Sequence, residues 1–160
     1  MRWDLLDEFK LLRKGSRSEA IKTFTGEEDF FAEHEPGNPR VPEPLFIEMV
    51  AQAGGVLFGL GLEFKKEVIL AKIEDAQFFR AVAPPCVLRI EAWFEDERED
   101  GAWMAGRVFQ DSSEVAQVKI MLAAVDSLVD DPGQKVVFNQ GFLSHYDIWN
   151  IAAKSGGMKV

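Results

Sequence analysis

The chain has 160 residues and a formal net charge of −9, from 18 basic and 27 acidic side chains. The length suits one domain with its own core, and the acidic balance argues against nucleic acid as a partner, because nucleic acid binding requires a basic surface. The single cysteine, Cys86, excludes a disulfide framework, argues against a zinc site and favours a reducing, cytoplasmic setting. Acidic residues interrupt the N-terminal segment, so we expect no signal peptide, and we expect no membrane-spanning helix.

The spacing of apolar residues predicts the first two elements. Leu5, Phe9 and Leu12 recur at helical intervals, which predicts a helix over residues 3–13. A strand is predicted over residues 18–24.

A long loop with four prolines is predicted over residues 26–44. Pro44 suits the first turn of a helix, where its missing N–H costs no hydrogen bond. From Pro44 to Leu60 the chain is apolar on every face, a pattern typical of a helix that is buried all round.

Four further strands are predicted from alternating apolar residues, over residues 68–79, 88–95, 102–110 and 116–124. Short turns join the last three of these strands, which therefore form an antiparallel meander. One apolar helix packed on a curved antiparallel sheet is an α+β arrangement.

The chain changes character after the last strand, so we divide it into a domain of residues 1–127 and a C-terminal extension of residues 128–160. Within the extension, Ser144 and Asp147 resemble a capping box that predicts a helix over residues 145–154. We expect the extension to pack on the domain or on a dimer partner.

One segment carries residues suited to catalysis. His34 lies in the Pro- and Gly-rich loop, and Glu48 follows fourteen residues later inside the apolar helix. Histidine titrates near neutral pH and is the commonest general acid or base, while a carboxylate among apolar residues is costly unless it is paired. We interpret His34 and Glu48 as a candidate catalytic pair.

This segment resembles the active-site signature of the β-hydroxyacyl-acyl-carrier-protein dehydratases of fatty acid synthesis, which reads His-Phe-Pro-Gly-x-Pro-x-x-Pro-Gly-x-Leu-x-x-Glu/Asp and often continues to a glutamine. The residues in register are His34, Pro36, Gly37, Pro39, Pro42, Leu45, Glu48 and Gln52. A second stretch, from Ile73 to Pro84, is similar to the family's strand and the arginine-containing turn after it. The similarity covers residues 16–127.

The resemblance implies the hot-dog fold, in which an antiparallel sheet wraps a long central helix, and a homodimer or higher oligomer whose active sites combine residues of two chains. His34 would then face Glu48 of the partner subunit. His34 would take the C2 proton of a 3-hydroxyacyl thioester, and Glu48 would protonate the departing hydroxyl, which yields a trans-2-enoyl thioester.

The resemblance also implies supporting roles. The backbone N–H of Glu43 would stabilise the enolate oxygen, and Gln52 would orient the carboxylate that lies one helical turn away. Gly37, Pro42 and Arg80 would contact the substrate. The substrate would be a thioester of acyl carrier protein or of coenzyme A, with no metal and no cofactor. Carrier proteins are acidic like this chain, and like charges repel, so a coenzyme A thioester remains an alternative substrate.

Three departures from the signature keep alternatives open. Glu35 replaces the family's Phe, Glu43 replaces its Gly, and Pro44, which has no N–H, follows. These changes leave room for a non-catalytic acyl-binding protein on the same fold. A hot-dog thioesterase that activates water with Glu48 is a further alternative, although the His-x-Pro-Gly loop favours a dehydratase.

Overall fold

The computed structural model describes residues 4–130 and 134–156 of the chain. Its strands are β1 (Glu8–Arg13), β2 (Arg17–Phe24), β3 (Glu67–Phe78), β4 (Cys86–Glu97), β5 (Gly101–Gln110) and β6 (Ser113–Val125). Its helices are α1 (Asp29–His34), α2 (Glu43–Gly61), α3 (Gln140–His145) and α4 (Ile148–Lys154).

The six strands form one antiparallel sheet in the order β1-β2-β4-β5-β6-β3. β4, β5 and β6 are the predicted meander, and β3 pairs with β6 and therefore lies at one edge. α2 packs against β2, β3, β4, β5 and β6, so the sheet wraps the helix. This confirms the predicted α+β arrangement.

α2 is the core helix of the molecule. It is long and apolar enough to cross a membrane. However, 72% of its most apolar 18-residue stretch is buried inside the protein, which is typical of the core helix of a soluble protein. The prediction that it is buried on every face is wrong on one side, where Ile47, Glu48 and Gln52 are half-buried. Glu48 and Gln52 line a cavity there.

β5 passes close to α2 at Gly106. A Cβ atom there would overlap the Val50 side chain and lie 2.6 Å from the carbonyl oxygen of Glu91. That carbonyl belongs to β4 and cannot move aside without disturbing the sheet. We expect Gly106→Ala to lower the free energy of unfolding by about 2 kcal/mol or more, measured by urea denaturation.

Gly55→Ala is the matched control for this prediction. Its added Cβ would lie 3.9 Å from Val68 Cγ1, an ordinary contact, and alanine favours a helix interior over glycine. We expect this variant to be as stable as the wild type or more stable. Equal destabilisation by the two substitutions would contradict the close approach at Gly106.

The predicted helix over residues 3–13 is wrong, because this segment contains the edge strand β1. Phe9 and Leu12 are both buried although they are three residues apart. A bulge in the pairing with β2, between Phe9 and Leu11, explains this spacing. The extra residue resets the alternation, so both side chains point to the core and imitate a helical pattern. Residue 3 lies outside the described residues.

The tail forms two short helices where one was predicted. Asn139 caps α3, since its Oδ1 accepts a hydrogen bond from the Phe142 N–H at 2.9 Å. Asp147 separates α3 from α4 with a φ of 50°, and its side chain makes no capping hydrogen bond to α4. The predicted capping box of Ser144 and Asp147 is therefore wrong.

One contact of the C-terminal extension with the rest of the chain is at β1 and the residues just before it. α4 packs against β1, and the Tyr146 hydroxyl donates to the Leu6 carbonyl at 2.9 Å. The backbone N–H of Leu12 donates to Ser155 Oγ at 3.0 Å. The division of the chain at residue 127 into two units remains a prediction.

Candidate active site

His34 is the last residue of α1, a short helix within the segment predicted to be a loop. Phe30 and Phe31 anchor this helix, because their rings pack edge-on against Phe24 at the end of β2, with centroids 5.9 and 5.7 Å away. His34 itself is exposed in the single chain. The adjacent Phe30 and Phe31 indicate that this part of the loop is anchored to the core, but they do not by themselves predict a helix.

Glu28 fixes the entry to α1. Its carboxylate accepts hydrogen bonds from the backbone N–H groups of Thr25 at 2.9 Å and Gly26 at 2.8 Å. Partial desolvation raises the pKa of the Glu28 carboxyl, but these hydrogen bonds outweigh it and hold the pKa below its usual value. The stabilisation is therefore present at neutral pH, above the carboxyl's unfolded pKa, and is lost as the pH falls through the lowered pKa.

The loop between α1 and α2 has a constrained path. Gly37 has a φ of 80°, in the left-handed region that favours glycine. The Val41 N–H donates to the Val82 carbonyl at 2.8 Å, which ties the loop to the segment after β3. Gly37 thus has a conformational role, and the substrate contacts assigned to Gly37 and Pro42 remain predictions.

Glu35, the first departure from the signature, has a cationic neighbour in the same loop. Its Oε2 lies 3.3 Å from Arg40 Nε. Both side chains are partly exposed, so the ion pair contributes little stability, but Arg40 offsets the negative charge next to His34.

The N-terminus of α2 carries no side-chain cap among the described residues. Pro42 occupies the N-cap position, Pro44 has no N–H, and the Leu45 N–H donates to the Pro42 carbonyl at 2.9 Å. The Glu43 N–H is the donor predicted for an oxyanion, and the helix dipole favours negative charge at this end. The Glu43 side chain is exposed.

Gln52 connects Glu48 to the N-terminal segment. Its Nε2 donates to Glu48 Oε1 at 3.1 Å, and its Oε1 accepts from the Leu5 N–H at 3.1 Å. The amide is held at both ends, so it restricts where the Glu48 carboxylate can lie. The contact predicted from the spacing is present, and its role in catalysis stays a prediction.

We expect Gln52→Leu to lower kcat by about tenfold or more with little change in KM, because a catalytic group that loses its orienting partner is misplaced. Steady-state hydration of a trans-2-enoyl thioester provides the measurement. Gln117→Leu is the matched control, since Gln117 is half-buried like Gln52 but lies on the inner strand β6 and lines neither candidate cavity. A rise in KM at unchanged kcat would show that Gln52 binds substrate instead.

The two candidate catalytic residues line different cavities within one chain. Glu48 lines a cavity of about 270 Å³ together with Gln52, Val56 and the first residues of β3. His34 lines another of about 280 Å³ together with Arg40 and Phe46. The predicted pair is therefore not brought together in a single cavity of the isolated chain.

Arg80 lies just after β3 and is exposed. Its guanidinium donates to Gln110 Oε1 at 2.8 Å. The neighbouring residue, Ala81, lines the cavity of His34. Arg80 is thus near this cavity, and its contact with substrate remains a prediction.

One part of the site escaped the sequence analysis. The C-terminal extension contributes apolar side chains to the cavity of Glu48, namely Val136, Val137, Phe138 and Phe142. The signal in the sequence is the short apolar run of Val136, Val137 and Phe138, with Phe142 four residues after it.

The fold is shared with proteins of very different sequence. An uncharacterized protein of Pyrococcus horikoshii superposes with a TM-score of 0.61 at 16% identity, over 79% of this chain and 88% of its own. The long central helix inside a six-stranded antiparallel sheet defines the class as a hot-dog protein, as predicted.

The chain belongs to the family of FabA-like domains, whose model matches residues 3–119. It is similar to a protein of Thermomicrobium roseum named 3-hydroxyacyl-acyl-carrier-protein dehydratase FabZ, at 35% identity over 76% of this chain and 83% of the relative. A protein of the same name from Symbiobacterium thermophilum is 33% identical over 81% of this chain and 92% of the relative. The predicted family is confirmed.

Proposed function

We propose that this protein dehydrates 3-hydroxyacyl thioesters carried by acyl carrier protein to trans-2-enoyl thioesters, in the biosynthesis of fatty acids or related acyl chains. The observation that carries the proposal is a cavity-lining carboxylate, Glu48, held by Gln52 on the core helix and fourteen residues after His34. The relatives named as 3-hydroxyacyl-acyl-carrier-protein dehydratases support the same reaction.

His34 and Glu48 divide the chemistry between them. Neutral His34 accepts the proton from C2, the C3–O bond breaks, and a double bond forms between C2 and C3. Glu48 donates a proton to the departing oxygen, which leaves as water. Proton exchange with solvent then restores both side chains. The uncapped N-terminus of α2 stabilises the negative charge that develops on the thioester oxygen.

The exposed edge of the sheet supports a homodimer. Residues 70–75 of β3 are exposed, and among them are the apolar side chains of Leu70 (37%) and Ile73 (48%). An edge strand of this kind is a template for pairing with another chain, and two-fold dimers are the commonest oligomers. Two copies of β3 paired antiparallel would set the end of one strand beside the start of the other.

This pairing would join the two halves of the site. Phe46, which lines the cavity of His34, has its ring 6.2 Å from Phe78 at the end of β3. The cavity of Glu48 includes Val68 at the start of β3. Antiparallel pairing therefore brings His34 of one chain towards Glu48 of the partner subunit.

The proposal also covers the carrier of the acyl substrate and the cellular location of the protein. Arg80, Gly37 and Pro42 would contact the phosphopantetheine arm of the substrate near the cavity of His34. Coenzyme A shares this arm, so a coenzyme A thioester is the alternative substrate. A cytoplasmic location fits the reduced, buried Cys86 at the start of β4.

The proposal is tested with the purified wild-type protein and trans-2-enoyl thioesters of several chain lengths, on acyl carrier protein and on coenzyme A. We expect loss of the enoyl absorbance as water adds, faster with the carrier-protein thioesters. Thiol release without hydration would identify a thioesterase. No turnover with any substrate, together with binding of acyl thioesters, would identify a non-catalytic acyl-binding protein.

A further inference from the structure

The cavity beside Glu48 has a wall that lies outside the part of the chain matched to the family. The family match ends at residue 119, whereas Val136, Val137 and Phe142 of the C-terminal extension line the cavity. α2 and the start of β3 form most of the remaining lining, together with Asp4 and with Leu122 of β6.

A buried carboxylate holds this wall in place. Glu67, the first residue of β3, is fully buried. Its two oxygens accept hydrogen bonds from three consecutive backbone N–H groups, those of Val136 at 2.5 Å, Val137 at 3.2 Å and Phe138 at 3.3 Å. Hydrogen bonds to an ionised acceptor are stronger than those between neutral groups, so the path of the extension is fixed at this point.

A glycine on the core helix provides a second anchor. The ring of Phe138 lies against Gly59, where an added Cβ would be 2.8 Å from Phe138 Cε2. Phe138 also packs edge-on against Phe64, with ring centroids 4.9 Å apart. The extension thus docks on α2 and on β3, the two elements that form most of the rest of the cavity lining.

The cavity has a polar part and an apolar part. Glu48, Gln52 and Asp4 contribute polar side chains, while the extension contributes two valines, two phenylalanines and Asn139. The amide of Asn139 is hydrogen-bonded within the extension, to the Phe142 N–H and the Val136 carbonyl. A thioester that reacts at Glu48 would keep its polar atoms at the first part, and its acyl chain would gain by entering the second.

We infer that the C-terminal extension forms the end wall of the acyl-binding pocket, and that Val136 in this wall limits the length of the acyl chain. This rests on the proposed function, because Glu48 defines the reacting end of the pocket. Val136 is suited to the role because its side chain is 46% exposed, so the hydrophobic core does not depend on it. In a cavity of about 270 Å³, one larger side chain removes a large share of the space.

The test compares the wild type with Val136→Trp and Val136→Ala, using enoyl thioesters of short and long chain length. We expect Val136→Trp to lower kcat/KM for the longest substrate by about tenfold or more relative to the shortest, since a few methylenes that no longer fit carry this much discrimination. Val136→Ala should shift the preference to longer chains.

Val87→Trp is the matched control. Val87 is a similarly exposed valine at the start of β4, and this part of β4 pairs with the end of β5. The cavity is at the opposite end of the sheet, where the start of β5 pairs with the end of β6. Val87→Trp should leave the ratio of kcat/KM between the longest and the shortest substrate unchanged. Thermal melting of each variant checks that the fold is retained.

A binding measurement separates this inference from the proposed function. Calorimetry with saturated acyl thioesters of coenzyme A needs no turnover. Val136→Trp should raise the Kd of the long-chain ligand and leave the Kd of the short-chain ligand unchanged. If the wild type is inactive but shows this binding pattern, the proposed function is wrong and the inference that Val136 limits the acyl chain length is supported. Unchanged chain-length dependence in folded Val136→Trp, or no acyl binding by the wild type, would overturn the inference.

Discussion

His34→Ala and Glu48→Ala each lower kcat/KM for hydration of a trans-2-enoyl thioester by about 10²- to 10⁴-fold, the usual contribution of a general acid or base. This is the expected result if His34 exchanges the C2 proton and Glu48 exchanges the proton of the hydroxyl oxygen. Both side chains are outside the fully buried core, so the variants should fold. Loss of enoyl absorbance under steady-state conditions provides the rates.

Controls of the same residue types make this result specific. His145, on the surface of α3, and Glu99, in the turn between β4 and β5, are exposed. His145→Ala and Glu99→Ala should retain wild-type rates. Glu48→Gln, which keeps the size of the side chain but cannot donate a carboxyl proton, should be as impaired as Glu48→Ala. Wild-type activity in either His34→Ala or Glu48→Ala would remove that residue from the mechanism.

Glu67→Ala has the largest expected effect on stability. The substitution leaves the N–H groups of Val136, Val137 and Phe138 without the acceptor that they share. A buried donor that loses its partner costs about 1–3 kcal/mol. The Phe138 N–H is buried and the other two are part-buried, so the free energy of unfolding should fall by about 2–4 kcal/mol. Urea denaturation measures this change.

The site of the damage distinguishes this explanation from a general loss of packing. Hydrogen exchange of Glu67→Ala should show early loss of protection in residues 134–145, before the strands β4 and β5 lose theirs. Glu99→Ala, at an exposed turn, should change stability by no more than about 0.5 kcal/mol. Uniform loss of protection along the chain would contradict the role of Glu67 as the anchor of the extension.

The elements with regular patterns were predictable from the sequence, and the irregular ones were not. α2 and the meander follow directly from an apolar run opened by Pro44 and from alternating side chains. β1 was mistaken for a helix because its bulge places Phe9 and Leu12 on the same face at a helical spacing. α1 is one short helix whose stability comes from packing on Phe24, a tertiary contact that local sequence does not contain.

In the candidate site, too, the contacts within one helix were predictable and the contacts between distant parts of the chain were not. The contact between Gln52 and Glu48 was predictable, because residues four apart on a helix are neighbours. The wall formed by Val136 and Phe142 depends on contacts with Glu67 and Gly59, about seventy residues or more away along the chain, and no local pattern encodes such contacts.

The separation of His34 and Glu48 into two cavities makes a site shared between subunits the central claim. Mixed dimers of one His34→Ala chain and one Glu48→Ala chain, isolated with two different affinity tags, test it most directly. Such a dimer contains one site with both substitutions and one intact site, so it should recover about half of the wild-type activity although each parent is inactive. A mixed dimer as inactive as its parents would contradict a shared site and assign both residues to the same chain.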